Sequence, residues 1–221
     1  MVVEIMGPAG AGKTALLRTL IERNAKIRPV FRLKEVSCLP SFLGQVILFL
    51  PTFFRQCPRI RRFTWREIKM IVHLKALQHD LRRQAAAHGT VTVLDQGPVF
   101  MLARLMWSGA ESIKNKSFGK WWDSIVSHWA STLDMAIWLD APDAILLERI
   151  RTRNKWHLIK GESEEVAHGF LSCFRSCYEQ VILQLSDHGG PTVLRFDTDQ
   201  ESLNQIVDRV QALIDLKLNE S

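Results

Sequence analysis

An α/β fold, in which helices cover both faces of a parallel sheet, is the fold class that this sequence predicts. Two observations lead to it. Short apolar runs of strand type, such as residues 2–6 and 91–94, alternate along the chain with longer helical patterns. The first run also leads directly into a glycine-rich turn that is followed by a helix. At 221 residues the chain suits one domain with a full core, so we expect a single domain over residues 1–221.

The remaining elements follow one another in a regular order. After the first strand, the predicted strands are residues 30–36, 91–94, 135–139 and 192–196. The predicted helices are residues 15–21, 64–88, 99–107, 119–131, 144–153, 164–185 and 201–216. Gly89 follows the helical pattern of 64–88, at a position where glycine commonly ends a helix. In a parallel sheet of this kind a ligand binds at the carboxyl ends of the strands.

The turn after the first strand fits the phosphate-binding pattern G-x-x-x-x-G-K-[ST]. Its residues are Gly7, Pro8, Ala9, Gly10, Ala11, Gly12, Lys13 and Thr14. Glycines let the backbone fold tightly enough for successive N–H groups to surround a β-phosphate at the positive end of the next helix. Lys13 is then placed to reach the β- and γ-phosphates, and the Thr14 hydroxyl to hold Mg²⁺. The sequence therefore predicts a protein that binds a nucleoside triphosphate with Mg²⁺.

A second candidate site residue, Asp95, follows the buried strand 91–94 and precedes a Gly-Pro turn. Since parallel strands end at the same sheet edge, Asp95 is expected near the phosphate-binding loop. There its carboxylate can hold Mg²⁺ or accept the proton of an attacking hydroxyl. The alternative role is an N-cap for the next helix. Asp140 ends the following strand, and we expect it to order the turn after it.

A basic segment at residues 148–157 contains Arg149, Arg151 and Arg153. Phosphoryl transfer spreads negative charge over the γ-phosphate oxygens, which arginines stabilise. Alternate positions on a helix diverge by about 200°, so Arg149 and Arg153 share a face and are the stronger candidates for the phosphates. If the helix unwinds before Arg151, that residue becomes a candidate as well. A solvated basic helix end, favoured by the helix dipole, is the alternative interpretation.

Almost the whole chain resembles the thymidylate kinase and deoxynucleoside kinase group of phosphate-loop kinases. The matching segments are residues 7–14, 94–98, 139–153 and 196–199. The resemblance implies a three-layer P-loop NTPase fold with a five-stranded parallel sheet, and an ATP-dependent phosphotransferase. It also implies that the position of Asp95 organises Mg²⁺ or deprotonates the acceptor, that a lid at about 149–163 covers the phosphates, and that the loop after the last strand touches the adenine. An acceptor-side insertion is expected at about 39–70.

Two departures from this group concern the acceptor. Gln96 stands where the group usually has an Arg that touches the acceptor or its phosphate, and residues 8–11 lack the acid with which thymidylate kinases contact the sugar. Both argue against thymidine monophosphate and predict another small hydroxyl compound. The competing function is a nucleoside triphosphatase switch or assembly factor without a small-molecule acceptor. The basic lid, and the absence of the guanine-reading motif Asn-Lys-x-Asp, favour the kinase.

Four tryptophans have two alternative roles: they line an acceptor pocket by stacking, or they pack between helices. They are Trp107, Trp121, Trp122 and Trp129. A net charge of +6 suits a protein that handles phosphates, and nothing resembles a nucleic-acid-binding module. With no room before the first strand for a signal peptide, and with no spaced CxxC pair, we expect a cytoplasmic protein.

Residues 42–54 are strongly apolar and are followed by a stretch rich in arginine. Prolines at positions 40 and 51 break this run, which is too short for the ~20 apolar residues that span a bilayer. Three interpretations stay open: a buried helix of the acceptor side, the face of a homodimer, and a peripheral membrane contact through residues 42–66.

Overall fold

The protein forms one five-stranded sheet in the computed structural model, which describes residues 1–30, 64–84, 90–108 and 116–219. The strands are β1 (Val2–Met6), β2 (Ile27–Val30), β3 (Val91–Asp95), β4 (Met135–Asp140) and β5 (Thr192–Asp197). Their order is β2-β3-β1-β4-β5, and every neighbouring pair is parallel. This confirms the parallel α/β sheet that the sequence predicts.

Helices lie on both faces of the sheet. Within the described ranges they are α1 (Lys13–Arg23), α2 (Trp65–Gln84), α3 (Pro98–Ser108), α4 (Lys116–Ala130), α5 (Asp143–Thr152), α6 (Glu164–Ser186) and α7 (Leu203–Asn219). One core joins α1, α5 and α7 to the sheet through Val3 and Ile5. The other joins α2, α3, α4 and α6 to it through Met6 and Leu94. The three-layer arrangement is therefore confirmed.

The second strand is the element whose predicted position is wrong. It spans Ile27–Val30 and shares only Val30 with the predicted 30–36; residues 31–36 lie outside the described part of the chain. Ile27 is buried and pairs with Val91 of β3. Because α1 ends at Arg23, the chain turns at once and enters the sheet, although Pro29 and the charges around it weaken the strand pattern.

The helix predicted at 64–88 begins at Trp65, and a capping box explains why. The backbone N–H and the hydroxyl of Thr64 donate to Glu67 Oε2 at 2.7 and 3.0 Å, and Thr64 thus becomes the N-cap. The rest of the expected acceptor-side insertion at 39–70, including the apolar run 42–54, lies outside the described residues. None of the helices that the structure describes is long and apolar enough to cross a membrane.

The strand registers bring the carboxyl ends of the strands to one edge of the sheet. Ile5 of β1 lies opposite Asp95 of β3, and Asp140 of β4 lies opposite Asp197 of β5. The phosphate-binding loop begins directly after Met6, two residues beyond the level of Asp95. The predicted convergence of the loop, Asp95 and Asp140 at this edge is confirmed.

Candidate active site

The phosphate-binding loop lies tightly against the end of β4. A Cβ on Gly7 would come within 2.0 Å of the Leu139 carbonyl oxygen, and the φ of Gly7 is +133°, so only glycine fits there. Gly12, at φ +85°, ends the loop as the N-cap of α1 and has no side chain to cap the helix. The first N–H groups of α1 therefore have no capping side chain at this helix end, which is the arrangement that receives an anion.

Lys13 lies across this loop. Its Nζ donates to the carbonyl oxygens of Gly7 and Pro8, at 2.8 and 2.7 Å. The side chain is half-buried, whereas Thr14, the next residue of α1, is exposed. The ammonium group thus lies over the concave side of the loop, and the Thr14 hydroxyl is open to solvent beside it.

The end of β3 and the turn after it carry two polar side chains with oxygens that accept no hydrogen bond from the described residues. No described residue donates a hydrogen bond to the carboxylate of Asp95, which is half-buried. The Oε1 atom of Gln96 is buried and has no hydrogen-bond partner among the described residues. Gln96 has a φ of +62°, the left-handed region that a non-glycine residue rarely adopts. Strained backbone and unpaired polar atoms concentrate at functional sites.

Glu4, on β1, lies beneath this turn and was not among the predicted site residues. Its Oε2 accepts from the backbone N–H of Val99 at 2.8 Å, and its Oε1 accepts from that of Phe100 at 3.0 Å. Complete burial raises the pKa of Glu4 to about 8, although these backbone donors favour the charged form; the charge of Asp95 acts in the same direction as burial. A single acid inside an apolar strand was the signal in the sequence.

Tyr178, on α6, bonds the phosphate loop from within the core. Its hydroxyl donates to the Gly7 carbonyl oxygen at 3.3 Å. Burial raises the pKa of Tyr178 well above its usual value, and the negative charges of Glu4 and Asp95 raise it further. The phenol therefore stays protonated and donates. It is the only tyrosine of the sequence, and no periodic pattern marks it.

The end of β4 has the opposite character, because a clamp from α6 occupies its carboxylates. Arg175 donates through Nε and Nη2 to Asp140, at 2.8 and 3.0 Å, and through Nη1 to Asp143 at 2.5 Å. Asp140 also accepts from the backbone N–H of Ala141 at 2.8 Å. Asp140 thus orders the turn that links β4 to α5.

His168 completes this clamp through a 2.6 Å contact between its Nδ1 and Asp143 Oδ2. Burial alone would raise the pKa of Asp143, but the bonds from His168 and Arg175 outweigh it and lower that pKa. For Arg175, burial is likewise outweighed by Asp140 and Asp143, so its pKa is raised. Both groups are charged at neutral pH.

The three predicted lid arginines have different surroundings. Arg149 donates to the Thr198 hydroxyl at 2.9 Å and to its carbonyl oxygen at 3.0 Å, and so links α5 to the loop after β5. Arg151 lies within the helix and forms an exposed ion pair with Glu164 at 3.5 Å. Arg153 follows the end of α5 with an extended backbone, and its Nε is buried without a described partner.

His157 brings the lid close to the phosphate loop. Burial, together with the positive charges of Arg153 and Lys13, lowers the pKa of His157 to about 4, so the ring is neutral at pH 7. The residues that follow α5 therefore lie within electrostatic range of Lys13. In the sequence His157 is marked only as part of the basic segment, and the fold is what brings it within electrostatic range of Lys13.

An aromatic cluster joins α3, α6 and the lid on the side of Asp95. Phe170 and Phe174 of α6 stack with their ring centroids 5.7 Å apart. Trp107 of α3 lies edge-on to Phe170, with a centroid separation of 5.5 Å. The ring centroids of His157 and Phe170 are 6.0 Å apart, and those of Phe100 and Phe174 are 6.1 Å apart. Among the four tryptophans considered above, Trp107 is partly exposed, whereas those of α4 are buried in the helical core. Helix packing therefore accounts for the latter three, which are Trp121, Trp122 and Trp129.

Comparisons with solved structures find the same architecture. A thymidylate kinase from Candida albicans matches with a TM-score of 0.60 at 16% identity, over 100% of this chain and 93% of the kinase. A deoxyadenosine kinase from M. mycoides with bound dATP matches with a TM-score of 0.55 at 15% identity, over 97% and 99% of the two chains.

The YorR protein from Bacillus subtilis, in complex with phosphorylated GDP, matches with a TM-score of 0.53 at 13% identity, over 98% of this chain and 97% of that one. This chain has the fold of the thymidylate and deoxynucleoside kinases. Its resemblance to that group, first indicated by the loop and the lid, is thus supported by the whole architecture. No protein-family model and no curated protein matches the sequence.

Proposed function

We propose that the protein is a phosphotransferase that moves the γ-phosphate of ATP to a hydroxyl group of a small molecule. The observation that supports this proposal is that a cationic phosphate-binding loop and a carboxylate lie at the same edge of the sheet. The phosphate-binding loop with Lys13 lies beside Asp95, whose carboxylate has no described donor. The kinase fold of the structural neighbours supports the same reaction class.

The residues at this edge suit a nucleoside triphosphate with Mg²⁺. The exposed hydroxyl of Thr14 and the unpaired carboxylate of Asp95 are the oxygen donors that Mg²⁺ prefers, and its few protein ligands leave room for phosphate oxygens and water. When bound there, the ion would neutralise charge on the β- and γ-phosphates. We assign Thr14 and Asp95 to the metal, and the loop residues Gly7, Pro8, Ala9, Gly10, Ala11, Gly12, Lys13 and Thr14 to the phosphates.

Each charged residue of the site has its own role in the proposed reaction. Lys13 exchanges its bonds to the loop carbonyls for the β- and γ-phosphate oxygens. Asp95 takes the acceptor's proton as the new P–O bond forms and the bond to ADP breaks; in its alternative role its carboxylate would hold Mg²⁺. Arg153, with its buried and unpartnered Nε, stabilises charge on the transferring group. Arg149 orders the loop at Thr198 that faces the nucleoside of the donor.

The acceptor side points to an uncharged hydroxyl compound with a flat or apolar part. Gln96 presents a neutral amide, with a buried oxygen that has no described donor, where a phosphorylated acceptor would need a cation. Phe100, in the first turn of the helix that follows Gln96, belongs with Trp107 and Phe170 to an aromatic cluster whose ring faces and edges suit a flat or apolar acceptor. A nucleoside-like alcohol combines both properties.

The experiment is an acceptor screen. Purified protein, ATP and Mg²⁺ are incubated with nucleosides, nucleoside monophosphates, sugars and prenyl alcohols, and both ADP and the phosphorylated product are measured. We expect an acceptor-dependent rate with nucleosides that the monophosphates do not match. Lys13→Ala should lower this rate by about 100-fold or more, equivalent to roughly 3 kcal/mol, while the exposed Lys26→Ala control keeps it.

Gln96→Arg tests the acceptor assignment separately. Adding a cation beside Asp95 should shift the preference toward phosphorylated acceptors while donor affinity stays the same. If ATP is hydrolysed at the same rate with and without every acceptor, and the product is only free phosphate, the switch or assembly-factor alternative replaces the kinase. The interpretation of residues 42–66 as the face of a homodimer or as a peripheral membrane contact stays a prediction.

A further inference from the structure

Glu4 is a carboxyl group inside the sheet with none of its surface exposed. Its two oxygens accept from the N–H groups of Val99 and Phe100, at 2.8 and 3.0 Å. Both belong to the first turn of α3, where N–H groups lack intrahelical partners. An acidic group at a helix N-terminus also interacts favourably with the helix dipole. Glu4 thus determines where α3 begins and how it lies on β1.

The turn between β3 and α3 is built directly against this carboxyl group. Gly97 passes so close that a Cβ there would lie 2.9 Å from Glu4 Oε2. Its neighbour Gln96 adopts a φ of +62°, a conformation that is strained for a non-glycine residue and persists only where the surroundings enforce it. The contacts at Gly97, Val99 and Phe100 supply that enforcement from β1.

The same acid lies close to the donor side of the site. Tyr178, whose electrostatic surroundings include Glu4 and Asp95, donates to the Gly7 carbonyl oxygen at 3.3 Å. In the strand register, Glu4 is one residue before Ile5, which lies opposite Asp95, and three residues before Gly7. One buried side chain therefore contacts the turn that follows Asp95, and it stands three residues before the phosphate loop on β1.

We propose that Glu4 is a positioning residue, which holds Asp95 and Gln96 at the height and orientation that the reaction and the metal require. It touches neither substrate and acts through the backbone of the turn. This inference rests on the proposed function, because that function gives Asp95 its role. A cap that served only the stability of α3 would leave the chemistry of Asp95 unchanged in a folded variant.

Three variants separate positioning from stability. Glu4→Gln keeps the size and one acceptor oxygen, whereas Glu4→Leu removes both acceptors. Val3→Ala is the matched control, since Val3 is the neighbouring residue of β1, fully buried in the core on the opposite face. We expect Glu4→Leu to lower kcat by about 10- to 100-fold, because misplacement of a catalytic group by about 1 Å can cost that much. Glu4→Gln should lie between wild type and Glu4→Leu.

A double-mutant cycle with Asp95→Asn identifies the residue through which Glu4 acts. If Glu4 works through Asp95, Glu4→Leu should change kcat by less than about threefold once Asp95 is already Asn. The proposal is overturned if Glu4→Leu lowers kcat equally in both backgrounds, or if Val3→Ala at a matched melting temperature lowers kcat as much as Glu4→Leu does.

A binding measurement needs no turnover. ATP affinity is measured by calorimetry with and without Mg²⁺, and the gain in affinity due to the ion is compared among variants. Asp95→Asn and Glu4→Leu should both reduce this gain, and Val3→Ala should keep it. An unchanged gain in Glu4→Leu overturns the proposal. A wild type that shows the gain, but phosphorylates no acceptor, refutes the proposed function while the comparison of variants still decides the role of Glu4.

Discussion

Strands β3 and β4, which lie on either side of β1, each end in an aspartate, and the surroundings of these two residues are opposite. Asp95 at the end of β3 has no described hydrogen-bond donor. Asp140 at the end of β4 accepts two bonds from Arg175 and one from the backbone of Ala141. A carboxylate whose oxygens are already bonded to a guanidinium must lose those bonds before it can bind a metal or take a proton. Asp95 at the end of β3 is therefore available for chemistry, whereas Asp140 at the end of β4 has a structural role.

The substitution with the largest expected effect is Asp95→Asn. Because the base or metal oxygen is lost while no described hydrogen bond is broken, we expect turnover to fall by about 100-fold or more, with an unchanged melting temperature. Turnover with the accepted hydroxyl compound and thermal unfolding are measured on the same preparation. A melting temperature that falls together with turnover would show that Asp95 is structural like Asp140.

The comparison of paired and unpaired side chains extends to the lid arginines. Arg153 has a buried Nε without a described partner, whereas Arg151 is occupied by the exposed Glu164. Arg153→Ala should lower kcat by about 10-fold or more, since a charge contact in the transition state is lost. Arg151→Ala should change kcat by less than about twofold. Arg149→Ala should raise the KM for ATP most, because its bonds order the loop at Thr198.

Single-turnover rates and ATP affinities, measured separately for the three alanine variants, decide this ranking. Three unchanged turnover numbers would leave the arginines as a solvated basic helix end. A larger loss of kcat in Arg151→Ala than in Arg153→Ala would contradict the distinction between paired and unpaired groups.

Asp140→Asn is expected to affect stability more than catalysis. Loss of the charged partner of Arg175 should cost about 1–3 kcal/mol of unfolding free energy, as for hydrogen bonds to charged groups. Turnover of the folded variant should fall less than about 10-fold. Chemical denaturation gives the free energy, and kcat is measured well below the midpoint. If Asp140→Asn proves more damaging to turnover than Asp95→Asn at unchanged stability, the roles of the two aspartates are reversed.

The smallest expected effect is a pH dependence of the clamp. Hydrogen bonds from His168 and Arg175 outweigh burial and lower the pKa of Asp143 below its free value of 3.8. A lowered carboxyl pKa stabilises the fold fully above the unfolded value and loses that contribution as the pH falls through the folded value. The stability difference between wild type and Asp143→Asn should therefore be present at pH 7 and shrink below about pH 4.

Urea unfolding at several pH values measures this difference. Asp123→Asn, an exposed aspartate on α4, is the control and should show a small difference at every pH. A gap for Asp143→Asn that widens on acidification would contradict the assigned direction.

The sequence alone predicted the fold class, the phosphate-binding loop and the place of Asp95. These features depend on local chemistry and on a general property of parallel sheets. Glycine spacing identifies the loop at Gly7 and Gly12, and strands of a parallel sheet end together, so Asp95 follows from the position of β3 alone. The start of the second strand was predicted three residues too late because Pro29 and the charges beside it leave little periodic signal.

Only the tertiary structure decided which donor side chain bonds which acceptor. Arg175 lies 35 residues beyond Asp140 in the chain, and it bonds Asp140 and not Asp95. The same holds for Glu4 and Tyr178, whose partners are backbone groups 95 and 171 residues away. Composition and periodicity report burial and local conformation, but which donor meets which acceptor depends on long-range packing, and that choice separates a reactive carboxylate from a structural one.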